Sequence, residues 1–111
     1  MTMRMQSYGE QPQDDRSMVA LWRAVILNAV TDARRLEDPE TLKHKYHTYE
    51  ALKAYDWLTK PGNEHREVIC TVAQIHEDQL IARVRTLVQD EMVSRARKSV
   101  QKRLRAKDLN R

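Results

Sequence analysis

Two glycines and three prolines are all that punctuate this chain of 111 residues. Tight hairpin turns need residues that accept positive φ or that preset φ, so a many-stranded fold is excluded at the outset. Apolar residues recur instead at three- and four-residue steps, the period of a helix face, and no stretch alternates as a strand would. The chain is therefore expected to be all-α. Its length suits one domain and is too short for two independent cores. Apolar residues make up 41% of the sequence, enough to build a core rather than a disordered coil. No window approaches the roughly 18 uncharged apolar residues of a membrane span.

Residues 1–14 show no hydrophobic period and contain Gly9 and Pro12, which reads as a flexible N-terminal arm. They also lack the apolar run of a secretory leader. Asp15 or Ser17 is placed to cap a helix whose inner face is Met18, Leu21, Trp22, Val25, Ala29, Val30, Ala33 and Leu36. Asp38-Pro39 opens a second helix, expected to bury Leu42, Tyr46, Tyr49, Leu52 or the Lys53 stem, Ala54 and Tyr55 before closing at Trp57-Leu58. Lys60-Pro61-Gly62-Asn63 is the clearest break, with Asn63 free to cap the next helix. After a short helix marked by Val68, Ile69, Val72 and Ala73, one long pattern runs through Leu80, Val84, Leu87, Val88 and Met92. It thins to Ala96, Val100 and Leu104.

The net charge of +4 is unevenly distributed. Residues 94–111 carry eight Lys or Arg and one acid, a net of +7, while residues 1–93 carry twelve basic and fifteen acidic residues, a net of -3. A mildly acidic body with a basic helix or tail attracts polyanions, nucleic acid foremost.

Two helices with a three-residue joint are the frame of a helix-turn-helix. Between residues 66 and 90 the apolar positions suit it. Ile69 and Ala73 face inward, Ile75 plugs the turn, and Leu80 and Val84 hold the second helix against the first. Cys70 stands where only a small side chain fits. The run Gln74-Ile75-His76-Glu77-Asp78-Gln79-Leu80-Ile81-Ala82-Arg83-Val84 resembles the turn and recognition helix of region 4 of bacterial sigma factors and of LuxR-type regulators, with their pattern Gly-Ile-Ser-x-x-x-Val-x-x-x-Leu. Ile75, Leu80 and Val84 match its hydrophobic positions. Gln74 replaces the turn glycine, at a cost of about 1 kcal/mol if the left-handed backbone is kept. His76 replaces the capping serine. Leu21-Trp22-Arg23-Ala24-Val25, Asp56-Trp57-Leu58 and Glu67-Val68-Ile69-Cys70 are similar to segments of short phage- or prophage-encoded bacterial proteins.

The resemblance implies that the second helix enters the major groove by its early exposed positions. Gln79 would pair with adenine and Arg83 with guanine, with Ala82, Arg85 and Thr86 beside them. Glu77 and Asp78 would repel phosphate, although acids also suit a helix start. Arg95, Arg97, Lys98, Lys102, Arg103, Arg105 and Lys107 would supply phosphate contacts and most of the affinity.

Other chemistry finds little footing. His44 and His47 lack further ligands at a recognisable spacing for zinc. Cys70 has no histidine partner, no glycine-rich loop exists to cradle a nucleotide, and acids are not paired for acid–base work. The aromatic residues fall at core spacing. Neither an enzyme nor a cofactor is expected.

The expectation is a small all-α domain over 15–93 with a central helix-turn-helix at 66–90 and a basic helix or tail at 94–111. Its partner would be double-stranded DNA, its role transcription regulation of phage or mobile-element type, and its setting the cytoplasm without a membrane. It would act as a homo-oligomer, with Met92, Ala96, Val100 and Leu104 as a pairing stripe. Two alternatives stand beside it. One is a small terminase-like packaging subunit forming a ring, and the other a helical interaction protein whose basic tail docks RNA or an acidic partner.

Overall fold

The computed structural model describes residues 12–109, with side chains described from residue 16 to residue 102. Among the described residues there is no strand. The chain runs through α1 (Pro12–Arg34), a 3-10 turn (Arg35–Glu37), α2 (Pro39–Leu42), α3 (Lys45–Thr59), α4 (Glu64–Ala73), α5 (Glu77–Leu87) and α6 (Asp90–Leu109). The fold is all-α, as its turn-poor sequence requires. Of the expected arm, residues 1–11 lie outside the described residues. From Pro12 the backbone is helical, because a first-turn proline lacks only an amide that would have no intrahelical partner anyway.

α1 and α3 pack side by side and carry the rest. One cluster joins Ala33, Leu36, Ala51, Leu52, Tyr55 and Leu58 to Val84, Val88, Val93 and Ala96, so α1, α3, α5 and α6 share one core. Complete burial of Leu36, Leu58, Val84 and Val88 contributes about 1.5–3 kcal/mol for each side chain. A second cluster joins Ile26, Cys70 and Ala73, with Trp22, Ile69 and Ile75 against them. Leu80 touches both clusters and ties α5 into the body.

The inner face of α1 keeps Trp22, Ala29, Val30 and Ala33 of the expected set and adds Ile26. Met18, Leu21 and Val25 lie outward, at 49%, 55% and 36% exposure. α1 is apolar on several sides, so spacing alone does not choose its phase. Docking on both α3 and α4 does.

The single helix expected from Pro39 to Leu58 is two. Asp38 caps as anticipated, its Oδ1 accepting from the Glu40 amide at 3.0 Å, but α2 lasts only one turn. His44 is extended, and the buried Thr48 hydroxyl lies 2.8 Å from the Thr41 carbonyl and 2.9 Å from that of His44. Both carbonyls also accept backbone amides, from His44 and Thr48, so the buried hydroxyl finds its own partners at the break and ties α2 to α3. The new phase of α3 buries Thr48, Ala51, Leu52, Tyr55 and Leu58 and leaves Tyr46 and Tyr49 exposed, so the expected burial of those two tyrosines is wrong.

The long final pattern also divides. Val88 is extended and fully buried, and the Gln89 amide donates to Glu37 Oε2 at 3.1 Å before α6 begins. Consequently Val93, Ala96 and Val100 pack into the core, so Ala96 and Val100 of the stripe expected to pair with another copy are already covered. The Leu104 side chain lies outside those described. The basic helix begins inside the body rather than beyond it.

Candidate nucleic-acid interface

The segment linking α3 to α4 turns through Gly62 at a φ of 76°, which glycine accepts without strain. Asn63 then caps α4, its side chain accepting from the Arg66 amide at 3.1 Å. Ten residues later the helix ends in a left-handed turn at Gln74, with φ 58° and ψ 46°. The Ile75 amide donates to the Cys70 carbonyl at 2.9 Å and the Gln74 amide to that of Thr71 at 3.1 Å. These two bonds, with Ile75 and Cys70 in one cluster, make a Schellman ending. Gln74 therefore keeps the backbone that a glycine would take, and the packing of Cys70, Ala73 and Ile75 outweighs its strain. From α1, Arg23 Nε donates to the Ala73 carbonyl at 2.8 Å, satisfying another helix-end acceptor. Burial pushes the Cys70 thiol above its ordinary pKa, and the Glu77 charge adds to this.

A buried arginine fixes where α5 starts. Arg66 Nε donates to Glu77 Oε2 at 2.8 Å, and its Nη1 donates to the Trp57 carbonyl at 2.8 Å. The Arg66 side chain is 2% exposed. One planar guanidinium thus joins α3, α4 and α5. Glu77 is turned inward and occupied, so of the two acids at the head of α5 only Asp78 is left outward. Sequence reasoning missed Arg66, since nothing in its spacing from Glu77 marks a buried pair.

Along α5, Leu80 and Val84 face the core while Asp78, Gln79, Ala82 and Thr86 form the outward face. At about 3.6 residues per turn, Arg83 and Arg85 fall on opposite flanks of that face. Arg83 makes no ion pair with another described residue. Arg85 leans toward α3, with Nη2 3.4 Å from the Thr59 carbonyl. The Thr86 hydroxyl donates to the Ala82 carbonyl of its own helix at 3.0 Å. Ile81 is half-buried.

On α6, Arg95, Lys98 and Lys102 are exposed at i, i+3 and i+7, on the side away from Val93, Ala96 and Val100. Arg95 pairs with Glu91 at 2.8 Å, an exposed helical pair, while Lys98 and Lys102 make no ion pair with another described residue. Arg97 points along α3 and donates through both terminal nitrogens to Asp56, at 2.6 and 3.1 Å. That contact raises the Arg97 pKa further. Arg103, Arg105 and Lys107 lie on the last turns of α6, outside the described side chains.

The structure thus gathers Gln79, Ala82, Arg83 and Thr86 on one helix face, sets Arg85 and Arg97 around a common cleft, and places Arg95, Lys98 and Lys102 on a separate face of α6. His44 and His47 are exposed with ring centroids 5.3 Å apart, and among the described residues no three metal-binding side chains gather. No described helix is long and apolar enough to cross a membrane. No family model, curated protein or solved structure matches the chain.

Proposed function

We propose that this chain binds double-stranded DNA, with α5 in the major groove and the basic face of α6 on phosphates, as a cytoplasmic transcription regulator of phage or mobile-element type. The supporting observation is the unit Glu64–Ala73, left-handed Gln74, Glu77–Leu87, whose second helix turns Gln79, Ala82 and Arg83 outward from a buttressed base. Gln79 and Arg83 have the hydrogen-bonding forks that read adenine and guanine, and Lys98 and Lys102 supply charge that no described acid neutralises. In this reading the chain catalyses nothing and works as a homo-oligomer. The surface offered for self-association is the exposed Met18, Leu21 and Val25 of α1, because Ala96 and Val100 of the α6 stripe are taken up by the core.

A gel-shift titration of the full chain against duplex DNA over a salt series is the test. Binding that falls steeply with salt is expected. Lys98→Gln with Lys102→Gln should flatten the slope by about 0.9 for each phosphate no longer neutralised. Arg83→Ala should cost about 1–3 kcal/mol on a preferred sequence and little on others. Removing residues 94–111 would not be informative, since Ala96 and Val100 belong to the core. No shift on any duplex at low salt would discard the reading.

A further inference from the structure

Between the end of α3, the outer flank of α5 and the start of α6 lies an open cleft of about 530 Å³. Lys60 just past α3, Arg85 of α5 and Arg97 of α6 line it, together with Asp56, Asp90 and Ser94. Asp56 is engaged by Arg97 through two hydrogen bonds, which leaves Lys60 and Arg85 against Asp90 alone. Lys60 is exposed, stands on extended backbone just past α3, and pairs with no described acid. Arg85 is held in the cleft by a contact of 3.4 Å, longer than a good hydrogen bond, so most of its five donors are open to a ligand.

We infer that this cleft is a phosphate clamp, in which Lys60 and Arg85 grip one phosphodiester of the duplex whose major groove α5 reads, with Arg97 behind them. The inference rests on the DNA-binding reading above and adds a residue, Lys60, and a place to it. The register of α5 makes the two compatible, since Arg85 lies on the flank of the outward face next to Asp78 and Ala82. A strand bordering the groove entered by that face passes Arg85. A guanidinium fork and an ammonium lining one cleft suit the paired oxygens of a phosphodiester. Among the described residues lining the cleft, Asp90 is the one carboxylate without an ion pair to oppose it.

Fluorescence anisotropy with a labelled duplex of mixed sequence, read as affinity and as salt slope, tests the clamp with the intact chain. Lys60→Gln and Arg85→Gln should each weaken binding by about 3- to 10-fold and lower the slope by about 0.9. Asp90→Asn should tighten binding, a gain that damage to the fold would not produce. Lys45→Gln, at the opposite end of α3, serves as the control and should leave the slope unchanged. If the native chain binds duplex but Lys60→Gln and Asp90→Asn leave affinity and slope unmoved, the clamp is overturned and the broader reading stands. An effect of Lys45→Gln equal to that of Lys60→Gln also overturns it. If the native chain binds no duplex at low salt, both fall together.

Discussion

Arg66 and Glu77 meet in an ion pair of 2.8 Å in which the arginine is buried and the carboxylate is 28% exposed. Their exposures are unequal, so their substitutions are too. Losing Glu77 strands a buried guanidinium, and Glu77→Ala should cost about 3–5 kcal/mol. Arg66→Lys keeps the charge but cannot reach both Glu77 and the Trp57 carbonyl, so about 1–3 kcal/mol should be lost through the unmade bond. Urea unfolding of the two variants measures both values. A loss under about 1 kcal/mol for Glu77→Ala would show that the guanidinium finds water or another partner.

Gln74 supports a prediction of the opposite sign. Its left-handed backbone is one that glycine adopts without penalty, so Gln74→Gly should raise stability by up to about 1 kcal/mol. A β-branched residue suffers most there, and Gln74→Val should lower stability by a comparable amount. Thermal unfolding of the pair gives the comparison.

The Asp56–Arg97 pair links function to stability. Both partners are partly exposed, at 24% and 44%, so Asp56→Asn should cost no more than about 1 kcal/mol. The same change releases Arg97 into the cleft and should steepen the salt dependence of duplex binding by about 0.9. An unaltered slope would mean that Arg97 stays out of reach of the phosphates.

Cys70 is 2% exposed, and burial raises its pKa above the ordinary 9.0. The neutral thiol is the form that the fold favours. Its stabilising contribution is complete below the unfolded pKa and fades as pH rises from there through the folded value. Stability should therefore fall on the alkaline side of pH 9.0, and Cys70→Ala should remove that part of the fall. A thiol reagent at neutral pH should label the native protein far more slowly than the unfolded one.

Much of the fold was legible from spacing. Asn63 and Asp38 act as caps, Cys70 and Ala73 are buried, and the three residues Gln74–His76 join two helices, all as the sequence led one to expect. The errors share one physical origin. A helix with apolar residues on several sides, such as α1, has its phase set by tertiary partners, and so Ile26 rather than Met18 or Leu21 is buried. The breaks at His44 and Val88 are bonded by the Thr48 hydroxyl and the Glu37 carboxylate. Those groups mark no boundary until the chain has folded. The buried Arg66 was hidden for a related reason, because charge alone does not announce a partner eleven residues away.

The hydrogen bond from Arg23 to the Ala73 carbonyl spans fifty residues of sequence. Together with Ile26 against Cys70 and Ala73, it makes the α4–α5 hairpin dependent on a helix synthesised long before it. Such distant contacts cost loop-closure entropy before they are rewarded, so docking of the hairpin on α1 should be a late event in folding. For anyone wishing to transplant these two helices into another scaffold, α1 is part of the cargo.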